Sequence, residues 1–514
     1  MRLTDLFHDF PFPVYTPLAE ASISGIACDS RRVQAGDLFV VLSGPPSDGH
    51  RYIPDAIARG AAGVVGTEAL DGLGVPYVRV DNSRQALPHL AAAFYGHPAR
   101  RLTVIGVTGT DGKTTTTNLI FSILQAAGLH AGMISTVNAV IGDDILDTGF
   151  HVTTPDAPDV QRYLAQMVAA GLSHAVLECT SHGLAQHRVD ACNFAVAVVT
   201  NITHEHLDFH GSYEAYRAAK TRLFEMLRAD GSAILNRDDG SFDHLAAASY
   251  PRRVISYGFQ PSADLRVAET AFWPAGMQLT LVGEQKRIPV TTRLVGDFNI
   301  SNILAAAGAA LALELDANAI QQGVAALGGV PGRMERIDLG QDFTAIVDFA
   351  HTPNALRVAL QTARKLLPAG GQERIIAVFG SAGLRDRQKR RMMAEVSAEL
   401  ADLSILTAED PRTESLEAIL AEMAAGVESR GGIEGRTFWR IPDRGEAIRF
   451  AVAQARPGDI VIACGKGHEQ SMCFGDVEYP WDDRIAMRAA LAAHLHLPGP
   501  EMPRLPTSRE FKPI

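Results

Sequence analysis

Residues 104–117 read VIGVTGTDGKTTTT: an apolar run, a glycine loop, and a Gly-Lys-Thr step into a helical pattern. Backbone amides at a helix N-terminus attract phosphate oxygens, and Lys113 adds a point charge. Thr114 or Thr115 can place a hydroxyl on Mg²⁺. The strict Walker pattern needs glycine where this chain has Val107, so the loop is the shorter Gly109-Thr110-Asp111-Gly112-Lys113-Thr114. With a strand before it and a helix after it, the stretch reads as a nucleoside triphosphate site rather than a plain turn.

Four further stretches carry chemistry-bearing side chains. In LECTSHGLAQHR (177–188), Glu178 follows an apolar run, where a carboxylate is costly unless paired or metal-bound. It reads as a Mg²⁺ ligand or as a solvated strand-end acid. In NITHEHLDFH (201–210), three histidines invite a zinc reading, but no cysteine and no helical His-Glu-x-x-His pattern accompanies them. His206 reads better as a neutral imidazole ligand to a second Mg²⁺. In YRAAKTRLFEML (216–227), Lys220 lies on an amphipathic helix whose apolar side is Leu223, Phe224 and Leu227. The ordinary role of a helical lysine is a solvated face. In TAEDPRTESLEAIL (407–420), Asp410 suits an N-cap and Pro411 a first helical position. Alternatively, Arg412 stands among Glu409, Asp410 and Glu414 to meet a ligand.

The elements that must position these residues alternate strand and helix. Residues 1–99 form a small α/β unit, with strand-like runs at 37–42 and 63–65 around a helical stretch at 53–59, and YGHPARR (95–101) is a hinge. From 102 on, near-continuous apolar strands separated by helices read as a parallel sheet covered on both faces. After LGGVPGRME (327–335) come FTAIVDFAH, RIIAVFGSAG, LSILTAED and DIVIACGKG. Each is a strand ending in a loop rich in glycine, charge or histidine, the place where open α/β sheets gather ligands. The Pro-rich segment 498–514 reads as a loosely ordered tail.

Composition limits the classes. The chain has 514 residues, 46% hydrophobic and 20% charged, with net charge −11: a globular protein of about three domains. An acidic chain is a poor general nucleic-acid or anionic-membrane binder. Five scattered cysteines without zinc-ribbon spacing indicate free thiols in a reducing compartment. The N-terminus lacks the order of a signal peptide, and no apolar run approaches a bilayer span. A cytoplasmic protein is expected.

The order of motifs resembles the Mur ligase family. GTDGKTTT (109–116), TTPDA (153–157), ECTSHGLAQHRV (178–189), NITHEHLDFHG and AKTRLF come first. GDFNISN (296–302), GRME (332–335), DFAHTPNAL (348–356), GLRDRQKR (383–390) and GKGHE (465–469) follow. Ten motifs in family order, over about residues 25–490, are far more specific than any one. Within the family the set is similar to the type that adds a diamino acid. The resemblance implies an α/β chain of three domains: a UDP-substrate-binding domain (1–99), a central P-loop parallel-sheet ATP-binding domain (100–330) and a Rossmann-like amino-acid-binding domain (331–495), with a tail (496–514). It implies a monomer that makes an amide bond with ATP in peptidoglycan precursor synthesis. The D-glutamyl carboxylate of UDP-N-acetylmuramoyl-L-alanyl-D-glutamate takes the γ-phosphoryl group to give an acyl phosphate. The amine of a diamino acid then displaces phosphate. Anions meet in both steps, so cations and positioned donors carry the catalysis, and two Mg²⁺ ions suit the first.

Position by position, the resemblance implies that Lys113, Thr114 and Thr115 serve the ATP phosphates. Thr114, Glu178 and His206 serve the metals. Lys220 matches a lysine that becomes carbamylated, turning a cation into an anion that can hold Mg²⁺. Asn299 matches an adenine contact, and Arg333, Asp348 and His351 match nucleotide contacts from the third domain, so that ATP lies between domains two and three. Ser30 matches a uridine-site serine, and Thr153, Thr154, Thr180, Gln186 and Arg188 match contacts to the muramyl dipeptide and diphosphate. Three departures stand out: Phe349 replaces a tyrosine, Thr180 a serine, and GSAGLRD is off the usual glycine-rich form around Arg385.

EDPR falls where family members that add diaminopimelate carry Asp-Asn-Pro-Arg, whose Arg grips the far carboxylate of that substrate. Here Glu409, Asp410, Pro411 and Arg412 keep the Arg but exchange Asn for Asp. Arg412 with Arg385 can still bind a carboxylate, while Gly465 and Glu469 of GKGHE can receive an ammonium. The extra anion at Asp410 favours lysine or ornithine over meso-diaminopimelate, or it pairs with Arg412 and neutralises its grip. Another amide ligase of the same architecture, such as a folylpolyglutamate synthase, is disfavoured by TTPDA, SHGLAQHR and GKGHE. A P-loop ATPase or kinase that makes no amide is the alternative from another class.

Overall fold

The computed structural model describes residues 1–508 except 43–47, 147–153, 204, 206, 274–275, 285 and 369. The chain forms two compact units. One comprises Met1–Glu269, Leu279–Val290 and Ile300–Ala326; the other Thr270–Gln278, Thr291–Asn299 and Leu327–Ile514.

In the first unit a parallel sheet runs in the order β1 (Gly25–Ala27), β2 (Asp37–Val40), β3 (Gly63–Gly66), β4 (Tyr77–Arg79). A larger sheet follows, of eleven strands among the described residues. Its strands are β5 (Thr103–Thr108), β6 (Ala131–Ile134), β7 (Ala139–Ile141), β8 (Asp144–Leu146), β9 (His174–Glu178), β10 (Phe194–Val199), β11 (Leu227–Asn236) and β12 (Arg253–Gly258). They run in the order β12-β11-β10-β5-β9-β6-β7-β8; β13 (Leu265–Trp273), β14 (Gly276–Val282) and β15 (Arg287–Thr292) extend the β12 edge. From β12 to β6 neighbours are parallel. The expected all-parallel pattern ends at β6, where β7 and β8 pair antiparallel. The glycine turn after β7, with Gly142 at φ 62°, lets that chain fold straight back.

Strand β5 is central, flanked by β10 and β9. All residues of β10 and all but the first of β5 are buried, which is why both read as unbroken apolar runs. The helix Lys113–Ala126 leaves the end of β5. The helix Tyr213–Glu225 starts at Ser212, whose hydroxyl accepts from the Ala215 amide at 3.1 Å. It ends before Leu227, which begins β11 rather than continuing the helix's apolar side.

The main sheet of the second unit has the strands β16 (Glu335–Ile337), β17 (Thr344–Asp348), β18 (Ile375–Phe379), β19 (Leu403–Leu406), β20 (Phe438–Arg440) and β21 (Ile460–Cys464), ordered β16-β17-β21-β18-β19-β20. All pairs in this sheet are parallel except β16 with β17, and β22 (Ser471–Phe474) and β23 (Val477–Pro480) form a separate antiparallel pair. Side chains alternate between two cores. Ile346, Ala377, Phe379, Leu406 and Ile462 face one, while Val347, Ile376, Val378, Ile405 and Val461 face the other. Both faces are thus covered, and the loops at the strands' carboxyl ends are left to carry polar groups.

Two expectations fail here. Helix Leu416–Glu428 is capped by Ser415, which accepts from the Ala418 amide, not by Asp410. Asp410 and Arg412 sit at φ 40° and 54°, left-handed values that cannot open a right-handed helix. Nor are the described residues of the tail loose. Leu505 is fully buried in the core with Trp481, Met487 and Leu491, and the Thr507 hydroxyl donates to Asp443 at 2.9 Å. Leu505, with Met502 packed against the same core, and the Thr507 bond dock a segment whose composition suggested no docking. Among the described residues no helix is long and apolar enough to cross a membrane.

Candidate active site

The glycine loop between β5 and helix Lys113–Ala126 is held from below. Thr110 N–H donates to Asn201 O at 2.8 Å, Asp111 N–H to Asn201 Oδ1 at 3.0 Å, and the Thr200 hydroxyl to Asp111 O at 2.5 Å. Glycine is required at both ends. At Gly109 a Cβ would lie 1.8 Å from Thr200 Oγ1, and at Gly112 (φ 82°) it would lie 2.2 Å from Asn302 Oδ1. Lys113 Nζ donates to Thr110 O at 2.7 Å. Thr115 is buried beside it on the helix.

Glu178 ends β9 and is buried. Its carboxylate accepts from the Thr114 hydroxyl at 3.1 Å and from the Thr136 amide at 3.0 Å. Both donors are neutral, so the buried charge has an oxygen-rich, cation-seeking surrounding. Lys220 is 1% exposed, so the solvated-face role does not hold. Its Nζ donates to Gly109 O at 2.5 Å and lies 4.6 Å from the centre of the Tyr216 ring. Burial, together with the nearby Lys113 charge, drives its pKa well below the usual lysine value, toward the neutral amine. The Tyr216 hydroxyl pairs with Thr110 Oγ1 at 2.9 Å, closing a ring from helix to loop. His206 and Thr153 lie outside the described residues.

Thr154, Thr180, Gln186 and Arg188 converge in the same unit. Thr154 and Thr180 share a hydroxyl bond of 3.0 Å. Arg188 donates to Thr154 O at 2.6 Å and, in a fork, to Gln186 Oε1 at 3.1 and 2.8 Å. Arg188 also reaches Asp156 at 3.3 Å. Ser30 is buried in a short helical turn after β1.

In the second unit, the Arg333 guanidinium lies over the Phe349 ring, 4.4 Å from its centre, with the His351 and His468 rings 4.6 and 4.9 Å away. The ring that replaced tyrosine is therefore used through its face. Asp348 accepts from the Met334 and Ala350 amides at 2.7 and 2.8 Å, yet burial still raises its pKa. Asn299 donates to Val295 O at 2.7 Å.

The loops after β19 and β21 form an acid-rich cluster. Lys466, fully buried, donates to Asp410 Oδ1 at 3.0 Å and pairs with Glu469 at 2.5 Å. Burial opposes its charge, but Glu469 and Asp410 overcome that and raise its pKa. Asp410 also accepts from the Cys473 amide at 2.9 Å. Asp410 is therefore tied to Lys466, not to Arg412. Glu409 is buried, and its Oε2 accepts no hydrogen bond. Burial raises its pKa to about 7. Gly465 must be glycine here: at φ 115° a Cβ would lie 2.5 Å from Glu409 Oε2. The Arg412 Nε is likewise buried without a hydrogen-bond partner, Pro411 is buried and Arg385 is exposed. Lys466, Asn302 and Tyr216 were missed in the sequence as site residues. Lys466 stands between two glycines of the GKGHE motif, which was the one signal the sequence offered for it.

Residues 22–95, 107–310 and 332–467 match the family models described as "Mur ligase family, catalytic domain", "Mur ligase middle domain" and "Mur ligase, glutamate ligase domain". The chain is 44% identical over 507 residues to UDP-N-acetylmuramyl-tripeptide synthetase of Roseiflexus sp., covering 96% of this chain and 99% of that one. It is 44% identical over 478 residues to UDP-N-acetylmuramoyl-L-alanyl-D-glutamate--2,6-diaminopimelate ligase of Gloeobacter violaceus, covering 92% and 95%. A solved structure of a ligase with that second name matches at TM-score 0.67 and 32% identity, over 96% of this chain and 99% of that chain.

Proposed function

The chain belongs to the Mur ligase family, and from that premise we propose that it joins L-lysine or ornithine to UDP-N-acetylmuramoyl-L-alanyl-D-glutamate. It is an ATP-dependent peptide ligase of peptidoglycan synthesis. The observation that carries the acceptor reading is the charge balance after β19 and β21. Asp410 and Glu469 share one cation, Lys466, and Glu409 keeps an oxygen without a donor. An ammonium supplies that donor. A second substrate carboxylate has to be held beside these three acids.

In this reading the loop amides and Lys113 hold the ATP phosphates, and Arg188 faces the acidic sugar nucleotide. Glu178 and Thr114 fit a Mg²⁺ ion, because a buried carboxylate with only neutral donors needs a cation. Held by Glu178 and Thr114, such an ion would supply charge neutralisation where carboxylate and phosphate meet. Lys220, shifted toward the neutral amine, is in the form that adds carbon dioxide: an Nζ–C bond forms, an N–H proton leaves to solvent, and the side chain becomes an anion. Arg333, Asp348, His351 and Asn299 serve the nucleotide. Arg385, Pro411, Arg412 and Gly465 complete the amino-acid site, and Ser30 serves the uridine.

Two observations favour meso-diaminopimelate instead: Arg412 is not neutralised by Asp410 and its Nε lacks a hydrogen-bond partner, and a 44%-identical relative and a solved structure at 32% identity are named as diaminopimelate ligases. Purified protein given ATP, the UDP-muramyl dipeptide and each of the three amino acids separates the readings. Phosphate release that needs both other substrates, with a product one lysine or ornithine heavier, is expected. A strong preference for diaminopimelate reverses the acceptor assignment. Phosphate release without either substrate points to a plain ATPase.

A further inference from the structure

The acid-rich cluster stands on two loops whose strands are not neighbours. Strand β18 lies between β19 and β21, so no ladder bond joins the Ala408–Glu409 step to the Cys464–Gly465 step. In a flat sheet such strands are about 10 Å apart. Lys466 links the loops further out, through Asp410; at the strand ends themselves a second side chain ties them. Arg444, at the start of helix Arg444–Gln454, donates from Nη1 to Ala408 O at 3.1 Å and from Nη2 to Cys464 O at 2.8 Å. Its other edge forks onto Asp483, with Nε to Oδ1 at 2.7 Å and Nη2 to Oδ2 at 2.6 Å. Trp481 Nε1 donates to the same Oδ1 at 2.8 Å. Arg444 and Asp483 side chains are both 0% exposed.

Burying such a pair is no general route to stability, since well-packed apolar side chains of similar volume do as well. Its geometry explains more. The two carbonyls it grips belong to the residues just before Glu409 and just before Gly465. These are the two residues that approach so closely that a Cβ on Gly465 would meet Glu409 Oε2. A planar fork fixed by a carboxylate sets that spacing to within a few tenths of an ångström, which a lysine's single nitrogen cannot do.

We infer that Arg444, oriented by Asp483 and Trp481, is a positioning residue for the acceptor amino acid, holding Glu409 in register with Gly465, Lys466 and Glu469. This rests on reading those loops as the acceptor site. Arg444→Lys and Trp481→Phe test it in the full-length chain; the second removes one hydrogen bond to Asp483 and keeps the aromatic packing. Each variant is assayed for the KM of ATP, of the UDP-muramyl dipeptide and of the amino acid. Acyl-phosphate formation is followed without amino acid, by isotope scrambling in ATP, and melting is recorded alongside. The KM for amino acid rises about tenfold in Trp481→Phe and further in Arg444→Lys, while the other two KM values and scrambling stay within twofold. If Arg444→Lys does not fold, Trp481→Phe decides. An amino-acid KM within twofold of wild type, or all three KM values rising together, overturns the positioning role. Wild-type protein that forms no amino-acid-dependent product overturns the functional reading itself, a separate outcome.

Discussion

In the glycine loop of the first unit, Lys113 and Lys220 donate to the carbonyls of Thr110 and Gly109. In the loops of the second unit, Lys466 holds Asp410 and Glu469, Arg444 holds Asp483, and Arg390 holds Glu414 and Glu422. Lys113 on a carbonyl has its charge in reserve, because an incoming anion displaces only a neutral acceptor, while burial drives Lys220 toward the neutral amine. A cation between two carboxylates is already spent, and Glu409 beside it keeps an oxygen without a hydrogen-bond donor. The first arrangement suits phosphates and carboxylates; the second suits an amine. The same residue types give opposite ligand preferences in the two places through what they touch.

The largest break in this contrast comes from Lys220. Lys220→Ala is expected to lower kcat about 1,000-fold, with partial recovery by a short-chain carboxylate such as formate or acetate. Recovery ties the role to an anion at that position. Equal recovery by chloride, or none, leaves the carbamate unsupported and makes Lys220 a packing cation under the loop.

Gly112→Ala attacks the loop without touching charge. The left-handed backbone and the 2.2 Å approach to Asn302 Oδ1 leave no place for a methyl. A penalty of about 2 kcal/mol corresponds to roughly 30-fold weaker ATP binding, read by calorimetry. Unchanged ATP affinity with a lower amino-acid affinity would invert the assignment of the two sites.

Glu409→Gln sharpens the acid side. Burial lifts this carboxyl from 4.5 to about 7, so the folded chain binds the proton more tightly than the unfolded one. The resulting stabilisation is full below pH 4.5 and is lost as pH rises through 7, on the order of 3 kcal/mol. Unliganded wild type therefore loses melting temperature between pH 5 and 8 more steeply than Glu409→Gln. An ammonium favours the ionised form, so wild-type affinity for lysine improves as pH rises through 7. Glu409→Gln flattens that profile and weakens binding about tenfold. Parallel profiles in the two proteins would remove Glu409 from the site.

How much of this was legible differs between the two regions for a physical reason. The glycine loop is local: strand, turn, Gly-Lys-Thr and helix are adjacent in sequence, and the glycine requirement is visible in the letters. The burial of Lys220 is not, since it depends on a helix docking on β5 about a hundred residues away, and only motif order pointed there. The strands β17, β18, β19 and β21 were readable as apolar runs. The acid-rich cluster was legible as composition but not as pairing. Asp410 stands next to Arg412 in sequence yet bonds Lys466, because positive φ at Asp410 and Arg412 turns the chain. Arg444 follows the N-cap Asp443 in the structure; nothing in a single sequence marks a side chain that reaches two carbonyls on separate strands.

The smallest effect concerns the tail, where composition misled. Leu505 fills the core beside Trp481, and Thr507 holds Asp443, whose carboxylate caps the helix that begins with Arg444. Leu505→Ala should cost about 2–4 kcal/mol of stability, as buried leucines do, and lower the melting temperature. Thr507→Val removes only the hydroxyl. It should leave melting within a degree or two while raising the amino-acid KM about twofold, with the ATP KM unchanged. That selective shift would mean the tail braces the Arg444 end of the amine site, extending the contrast to a segment far from either loop in sequence. A loss of stability in Leu505→Ala with no kinetic change in Thr507→Val would confine the tail to packing.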